Sequence, residues 1–258
     1  MGYSGLSLDG RVAVVVGGTT GIGRTLALGL AEAGADVVAT SRRIEQVEET
    51  ASAIEAKGKH TVRVTCDITQ KSSLEALLAK TVKKLGKVDI LVNSAGAIKR
   101  VPTLEMEDAT WDSILATNLT GTLRSCQVFG KHMLERGYGR IVNIASLNSL
   151  VSFYEVTAYA ASKAGVAGLT RSLAVEWGPG GVIVNAIAPG VFRTALNEQL
   201  LDGTNRGKEL LMRTPLKRFG KLEELVGPAI FFASESAGFV NGQTLVVDGG
   251  FVSSGVNQ

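Results

Sequence analysis

Cysteine is almost absent from this 258-residue chain. Cys66 and Cys126 are the only two, far apart, and they form neither a CxxC nor a metal-ligand spacing. No disulfide framework and no metal site are expected, and two reduced thiols suit a cytoplasmic protein. Long apolar runs are also missing: nothing approaches the ~20 residues that a bilayer crossing needs. The opening "MGYSGLSLDGR" lacks the charged leader and apolar core of an export signal, so no membrane partner is expected. Nor is charge one-sided. The 27 basic residues face 24 acidic ones and gather only in short pairs such as Arg42-Arg43 and Lys83-Lys84, which argues against a nucleic-acid partner. Only 5 prolines punctuate the chain, and no repeat, low-complexity tract or linker divides it. One domain over residues 1–258 is expected.

What the chain does have is alternation. Short apolar, β-branched runs at 11–17, 36–40, 61–66, 88–93, 139–145, 182–188 and 244–248 read as strands. Their nearly continuous apolar character suits parallel strands covered on both faces. Amphipathic stretches lie between them, such as "RRIEQVEETASAIEAKG" with Gly58 placed to end the helix. This βαβα pattern predicts an α/β, doubly wound parallel sheet of seven strands with helices on both faces. Residues 190–221 have the weakest periodicity and are the expected mobile lid over a substrate.

The first strand runs into "GGTTGIGR". Gly17, Gly21 and Gly23 would allow a tight turn, close backbone approach to a pyrophosphate and close packing of the following helix. Thr19, Thr20 and Ile22 complete the turn, and the helix end offers N–H groups to an anion. This is the expected dinucleotide site. An acid at the end of the second strand, which would bind a ribose 2′-hydroxyl, is missing. Ser41 stands there instead, followed by Arg42 and Arg43 at the unfavourable end of a helix dipole. A 2′-phosphate would remove that objection, so NADP(H) is the expected cofactor. Asp67 is placed to accept from an adenine amino group, with Ile68 beside the ring. Asn93 opens a small-residue turn containing Ala95 and Gly96 that would approach the adenosine ribose.

"AYAASKAGVAG" is built from small residues except for Tyr159 and Lys163, which share one helix face. An ammonium there is expected to lower the phenol's pKa and suit it to exchange protons with an alcohol or carbonyl. Ser146 ends the strand "GRIVNIAS" and can donate to a substrate oxygen. Asn118, expected near the start of a helix, can hold a water behind the lysine.

"GGTTGIG", "CDI", "NSAG", "ATNLTG", "IVNIAS", "YAASK", "NAIAPG" and "VNGQTLVVDGG" occur in order along nearly the whole chain. In these the chain resembles the short-chain dehydrogenase/reductases. The resemblance implies a Rossmann-type sheet of order 3-2-1-4-5-6-7 and a catalytic tetrad of Asn118, Ser146, Tyr159 and Lys163. Tyr159 would protonate the carbonyl oxygen, Ser146 polarise it, and Lys163 bind the nicotinamide ribose. Pro189, Gly190, Val191 and Thr194, in "APGVFRT", would flank the nicotinamide. Val16 and Ser94 depart from the family's usual threonine and second asparagine, which puts the tie between the first and fourth strands in question.

Within the family, "NSAGAIKR" and "RTPLKRFGKLEELVGPAIFFAS" look most like gluconate 5-dehydrogenases and related deoxygluconate dehydrogenases. Lys99 and Arg100 could attract a sugar acid's carboxylate. Asn148, Tyr154 and Glu155 could bond its hydroxyls, and Arg193 and Arg213 are further carboxylate candidates. The alternatives are a 3-oxoacyl-thioester reductase, whose acidic carrier protein would dock on the same basic residues, and an NADP-binding regulator without chemistry. The last strand, "QTLVVDGG", would leave an apolar sheet edge that self-association can cover. A homotetramer is expected, as is common in the family, with a dimer as the alternative.

Overall fold

The computed structural model describes residues 3–194 and 198–255. Six parallel strands form its sheet: β1 (Val12–Val16), β2 (Asp36–Thr40), β3 (Ile90–Asn93), β4 (Gly139–Ile144), β5 (Val182–Pro189) and β6 (Thr244–Val247), in the order β2-β1-β3-β4-β5-β6. Residues 61–66, predicted as a strand, extend the sheet beyond β2. Hydrogen bonds hold this segment at both ends: the Val37 N–H donates to the His60 carbonyl and the Cys66 N–H to that of Ser41. The Thr40 hydroxyl adds a bond to the Val64 carbonyl. Counted with this segment, the order is the expected 3-2-1-4-5-6-7.

Side-chain alternation along the buried strands sorts the core into two layers. Ala13 and Val15 of β1 face α1 (Gly21–Glu32) and α9 (Val226–Ala233), where Leu26, Leu30, Ala229 and Phe232 are buried. Val14 and Val16 face α3 (Lys71–Leu85), α5 (Gly121–Glu135) and α6 (Thr157–Trp177), meeting Leu74, Phe129 and Trp177. Both faces are thus covered, which is why the strands are mostly apolar and the polar residues they carry, such as Thr40 and Asn143, are buried and hydrogen-bonded. The remaining helices are α2 (Ile44–Glu55), α4 (Asp108–Leu115), α7 (Glu198–Leu201) and α8 (Asn205–Arg213). Arg43 caps α2, and Gly58 follows it at φ +74°. Ser94 and Val16 are tied through the backbone, the Ser94 N–H donating to the Val16 carbonyl at 2.9 Å. That bond needs neither side chain, so the two departures leave the tie in place. Among the described residues no helix is long and apolar enough to cross a membrane.

Two polar clusters lock the amino-terminal end of the sheet. Asp89, fully buried, accepts from the Val12 N–H at 3.0 Å and pairs with Lys87 and Arg136 at 2.9 and 3.0 Å. Nearby the guanidiniums of Arg11 and Arg140 lie 4.1 and 4.5 Å from the centre of the Tyr138 ring. The Tyr138 hydroxyl donates to Glu235, which also pairs with both arginines. Replacing Asp89 with Ala would strand two cations and a buried backbone N–H. A loss of about 3 kcal/mol or more is expected in urea unfolding; a loss below about 1 kcal/mol would contradict this account of the sheet's end.

Candidate active site

The carboxyl ends of the parallel strands meet the amino ends of the helices, and most of the predicted site residues lie there. After β1 the chain turns at Gly17 (φ +79°). A Cβ on Gly17 would fall 2.5 Å from the Ala95 backbone nitrogen, and one on Gly23 would overlap the Gly17 carbonyl oxygen. The glycine turn therefore touches the turn after β3, with α1 drawn tight against it. Thr20 caps α1 without a side-chain bond, and no acid occupies its first turn, which leaves its N–H groups to an anion. The buried Thr19 hydroxyl donates to Gln46 on α2 at 3.2 Å, bracing the turn from the side.

Ser41 follows β2, and Arg42 and Arg43 are exposed just before α2. Neither arginine forms an ion pair among the described residues, although the charge of Arg42 helps hold the Asp67 carboxyl down. Arg24 is different: it pairs with Glu49 at 3.2 Å, and its buried Nε has no partner. Asp67 accepts from both the N–H and the hydroxyl of Thr69 through one oxygen, which holds its carboxyl below the usual range. Its other oxygen remains for a ligand. Ile68 is buried beside it, and a Cβ on Gly121 would press on its side chain. Asn93 sends its side chain into the core, donating to Asn143 at 2.9 Å and to the Cys126 sulfur at 3.4 Å. Its backbone is what remains toward the turn. A glycine cradle, a first helical turn without acids and two unpaired arginines in place of an acid fit a dinucleotide bearing a 2′-phosphate.

The tetrad residues converge from four elements. Asn118, expected near the start of a helix, lies three residues before α5 but inside a continuous helical run. It sits in a π-turn, Ala116–Thr120, that joins α4 to α5 without a break. Wide turns of this kind open a helix at functional sites. The buried Asn118 carboxamide accepts from the Ala97 N–H at 2.7 Å and donates to the Ala97 carbonyl at 2.9 Å and to the Ser162 hydroxyl at 3.0 Å. Both hydrogens of its carboxamide nitrogen and one lone pair of its oxygen are thus engaged with the protein. Ser162, missed in the sequence, itself donates to the Tyr159 carbonyl at 2.7 Å; it is the serine of "YAASK". A Cβ on Gly96 would sit 3.6 Å from Asn118 Oδ1 and 3.7 Å from Lys163 Nζ, so this turn, the π-turn and α6 share one small space.

Tyr159 and Lys163 share a face of α6, with Nζ 5.7 Å from the ring centre. Nζ donates to the Ile144 carbonyl at 2.7 Å, and burial lowers Lys163 from 10.5 to about 8. The phenol departs from expectation: burial pushes it up, and a hydrogen bond with the Ser146 hydroxyl pulls the other way. The reason is that the ammonium is directed at a carbonyl of β4 instead of the phenol oxygen. Ser146 also accepts from the Asn148 N–H at 3.2 Å.

Pro189 ends β5, and a Cβ on Gly190 would collide with Asp248. The Val191 carbonyl accepts from the Gly220 N–H, closing the base of the expected lid. Thr194 is the last residue before 195–197, a part of the 190–221 segment that lies outside the described residues.

Several substrate candidates already have protein partners. Arg193 pairs with Asp202 at 2.6 Å and Glu198 at 3.3 Å, and Arg213 with Glu209 at 3.3 Å. Asn148 is buried and donates to the Val151 carbonyl. Lys99 donates to Thr110, Tyr154 stands exposed, and Arg100 pairs with Glu155 at 2.6 Å. Arg100 and Glu155 nonetheless lie where the turn after β3 meets the loop between Ser146 and Tyr159.

The family described as enoyl-(acyl carrier protein) reductase matches residues 16–252. The 2-dehydro-3-deoxy-D-gluconate 5-dehydrogenase of Escherichia coli K12 is 41% identical over 97% of this chain and 98% of its own length. The D-threitol dehydrogenase of Mycolicibacterium smegmatis is 42% identical over 95% of this chain and 94% of its own. A crystal structure of a gluconate 5-dehydrogenase from Burkholderia cenocepacia, in complex with NADP and tartrate, superposes with a TM-score of 0.94 at 38% identity, covering 98% of this chain and 99% of that one.

Burial of Lys163 gives a pH signature independent of any ligand. Between about pH 8 and 10.5 the folded protein holds fewer protons than the unfolded chain, so this residue makes stability rise with pH across that window. Comparing unfolding of the wild type and Lys163→Met across that range should show the rise reduced in the variant. Parallel curves would contradict the depressed ammonium.

Proposed function

The chain belongs to the short-chain dehydrogenase/reductase family, and from that membership we propose that it interconverts a secondary alcohol and a ketone of a sugar acid, gluconate and its 5-keto form first, with NADP(H). The observation that carries the chemistry is the placement of Tyr159 on one face of α6 with the buried Lys163, Nζ 5.7 Å from its ring centre, with Ser146 close enough to draw the phenol's pKa down. NADPH, when bound, supplies the hydride for the carbonyl carbon, and NADP accepts one in the oxidation direction. Gly17, Thr19, Thr20, Gly21, Ile22 and Gly23 would hold its pyrophosphate, Ser41, Arg42 and Arg43 its 2′-phosphate, and Asp67 and Ile68 its adenine. The turn at Asn93, Ala95 and Gly96 would border the adenosine ribose, while Pro189, Gly190, Val191 and Thr194 flank the nicotinamide.

Ser146 donates to the substrate oxygen, and Tyr159 exchanges a proton with it. A phenol raised by burial keeps its proton at neutral pH, which suits reduction; oxidation needs the phenolate and gains as pH rises. Lys163 holds the nicotinamide ribose through an ammonium whose pKa burial lowers to about 8. Asn118 keeps Gly96 beside that ammonium. The sugar-acid assignment draws on the relatives and on the basic Lys99–Arg100 turn beside the loop that carries Ser146 and Tyr159. The thioester-reductase reading is favoured by the description of the matching family, and the same assays separate the two.

The same proposal covers organisation: one domain over 1–258 with a lid at 190–221, working as a homotetramer in the cytoplasm. Two buried, unpaired thiols support the compartment. The open edge of β6, with Leu245 partly exposed and Phe239 fully so, supports self-association. Sedimentation velocity checks it: a species of four chains is expected, and a monomer at micromolar concentration would refute it.

The deciding assay follows NADPH oxidation with 5-ketogluconate and with an acetoacetyl thioester, NADH run beside each. Turnover of the keto acid, NADPH ahead, is expected; turnover of the thioester alone would reverse the assignment. Tyr159→Phe should lose at least about a hundredfold in kcat while still binding NADPH.

A further inference from the structure

The lid segment contains four arginines, and their pairing separates one from the rest. Arg193 is held by Asp202 and Glu198, Arg213 by Glu209, and Arg218 by Glu224 at 2.5 Å. Arg206 has no carboxylate partner among the described residues. It lies in the first turn of α8, where Thr204 caps the helix by accepting the Gly207 N–H and no acidic residue is present. A cation there faces the positive end of the helix dipole, whose free N–H groups repel it and, like it, would be satisfied by an anion.

Its surroundings point toward substrate. The Arg206 guanidinium lies 5.9 Å from the centre of the Phe153 ring, and Phe251 braces that ring edge-on at 5.8 Å. Phe153 and Glu155 belong to the loop between Ser146 and Tyr159. Glu155 holds Arg100 and is itself in the left-handed region at φ +64°, while its carbonyl accepts the Val101 N–H. The loop therefore carries two guanidiniums, one neutralised by Glu155 and one not. Burial and the nearby charge of Arg100 both work against the charge on Arg206, with Glu155 and Glu209 in part offsetting them.

We propose that Arg206 binds the carboxylate of the sugar-acid substrate, delivered by α8 and held over the loop between Ser146 and Tyr159 by the Phe153 platform. The assignment rests on the sugar-acid reading above and gives it a specificity-determining residue on the lid. Arg100 lies on the same side but is neutralised by Glu155, which leaves Arg206 as the guanidinium at this loop without an ion pair, among the described residues, for an arriving anion.

The test is steady-state kinetics of wild type, Arg206→Gln and Arg206→Lys with NADPH and 5-ketogluconate at low and high salt. Loss of one charge-assisted contact should raise KM for the keto acid about ten- to a hundredfold in Arg206→Gln. We expect kcat to change by less than about twofold, with KM for NADPH unchanged. The KM of the variant should also respond less steeply to salt than that of wild type, and Arg206→Lys should recover part of the loss. An unchanged KM for the keto acid, or a fall in kcat alone, overturns the proposal. A wild-type enzyme that ignores 5-ketogluconate overturns the sugar-acid reading itself, a failure visible before any variant is made.

Discussion

The candidate site hangs on one side chain that grips one peptide. Asn118 meets both the N–H and the carbonyl of Ala97, so the turn after β3 cannot slide relative to the helix run that carries the asparagine. Its third bond reaches Ser162 on α6, and Ser162 bonds back to the carbonyl of Tyr159. Three elements remote in sequence are thereby referenced to one carboxamide. The π-turn makes this possible, because a regular helix there would close its own hydrogen bonds and carry position 118 away from Ala97. Gly96 completes the arrangement by leaving open the space between the carboxamide and the lysine.

Charge is distributed unevenly and to a purpose. At the amino end of the sheet nearly every cation has an anion: Arg11 and Arg140 share Glu235, while Lys87 and Arg136 share Asp89. At the carboxyl end Arg42, Arg43 and Arg206 lack one. Buried charges seek partners, and the cations without partners lie where anionic ligands would arrive. Lys163 belongs between the two groups, since it is buried, bonded only to a neutral carbonyl and lowered in pKa as a result.

Much of this was legible in the sequence. Glycine spacing gave the turn after β1 because its physical requirement, no room for a Cβ beside Ala95, acts on residue type directly. The Tyr159–Lys163 pair was legible because four residues along a helix fix a shared face. The π-turn was not: no glycine or proline interrupts residues 115–120, and the bonds between Asn118 and Ala97 that go with the turn are long-range. The direction of Lys163 was hidden as well, because the carbonyl it bonds belongs to a strand nineteen residues earlier. Arg193 looked available for a substrate, but Asp202 and Glu198 reach it across a segment without periodicity. Arg206 escaped notice for the opposite reason, since what distinguishes it is an absence of partners that only the fold reveals.

The two clusters at the amino end of the sheet divide the molecule mechanically. There, strands, loops and the segment around Glu235 are joined by ion pairs and by a tyrosine whose ring lies against two guanidiniums. At the other end the buried bonds of Asn118 hold the floor of the site, while the loop face that carries Phe153 and Glu155 is held by a stacked ring, one ion pair and one backbone bond. Heat should therefore disorganise the catalytic mouth while the sheet still holds, so that activity fades reversibly below the temperature at which the fold is lost. A protein built this way can vary the mouth to suit new substrates without renegotiating the foundation beneath it.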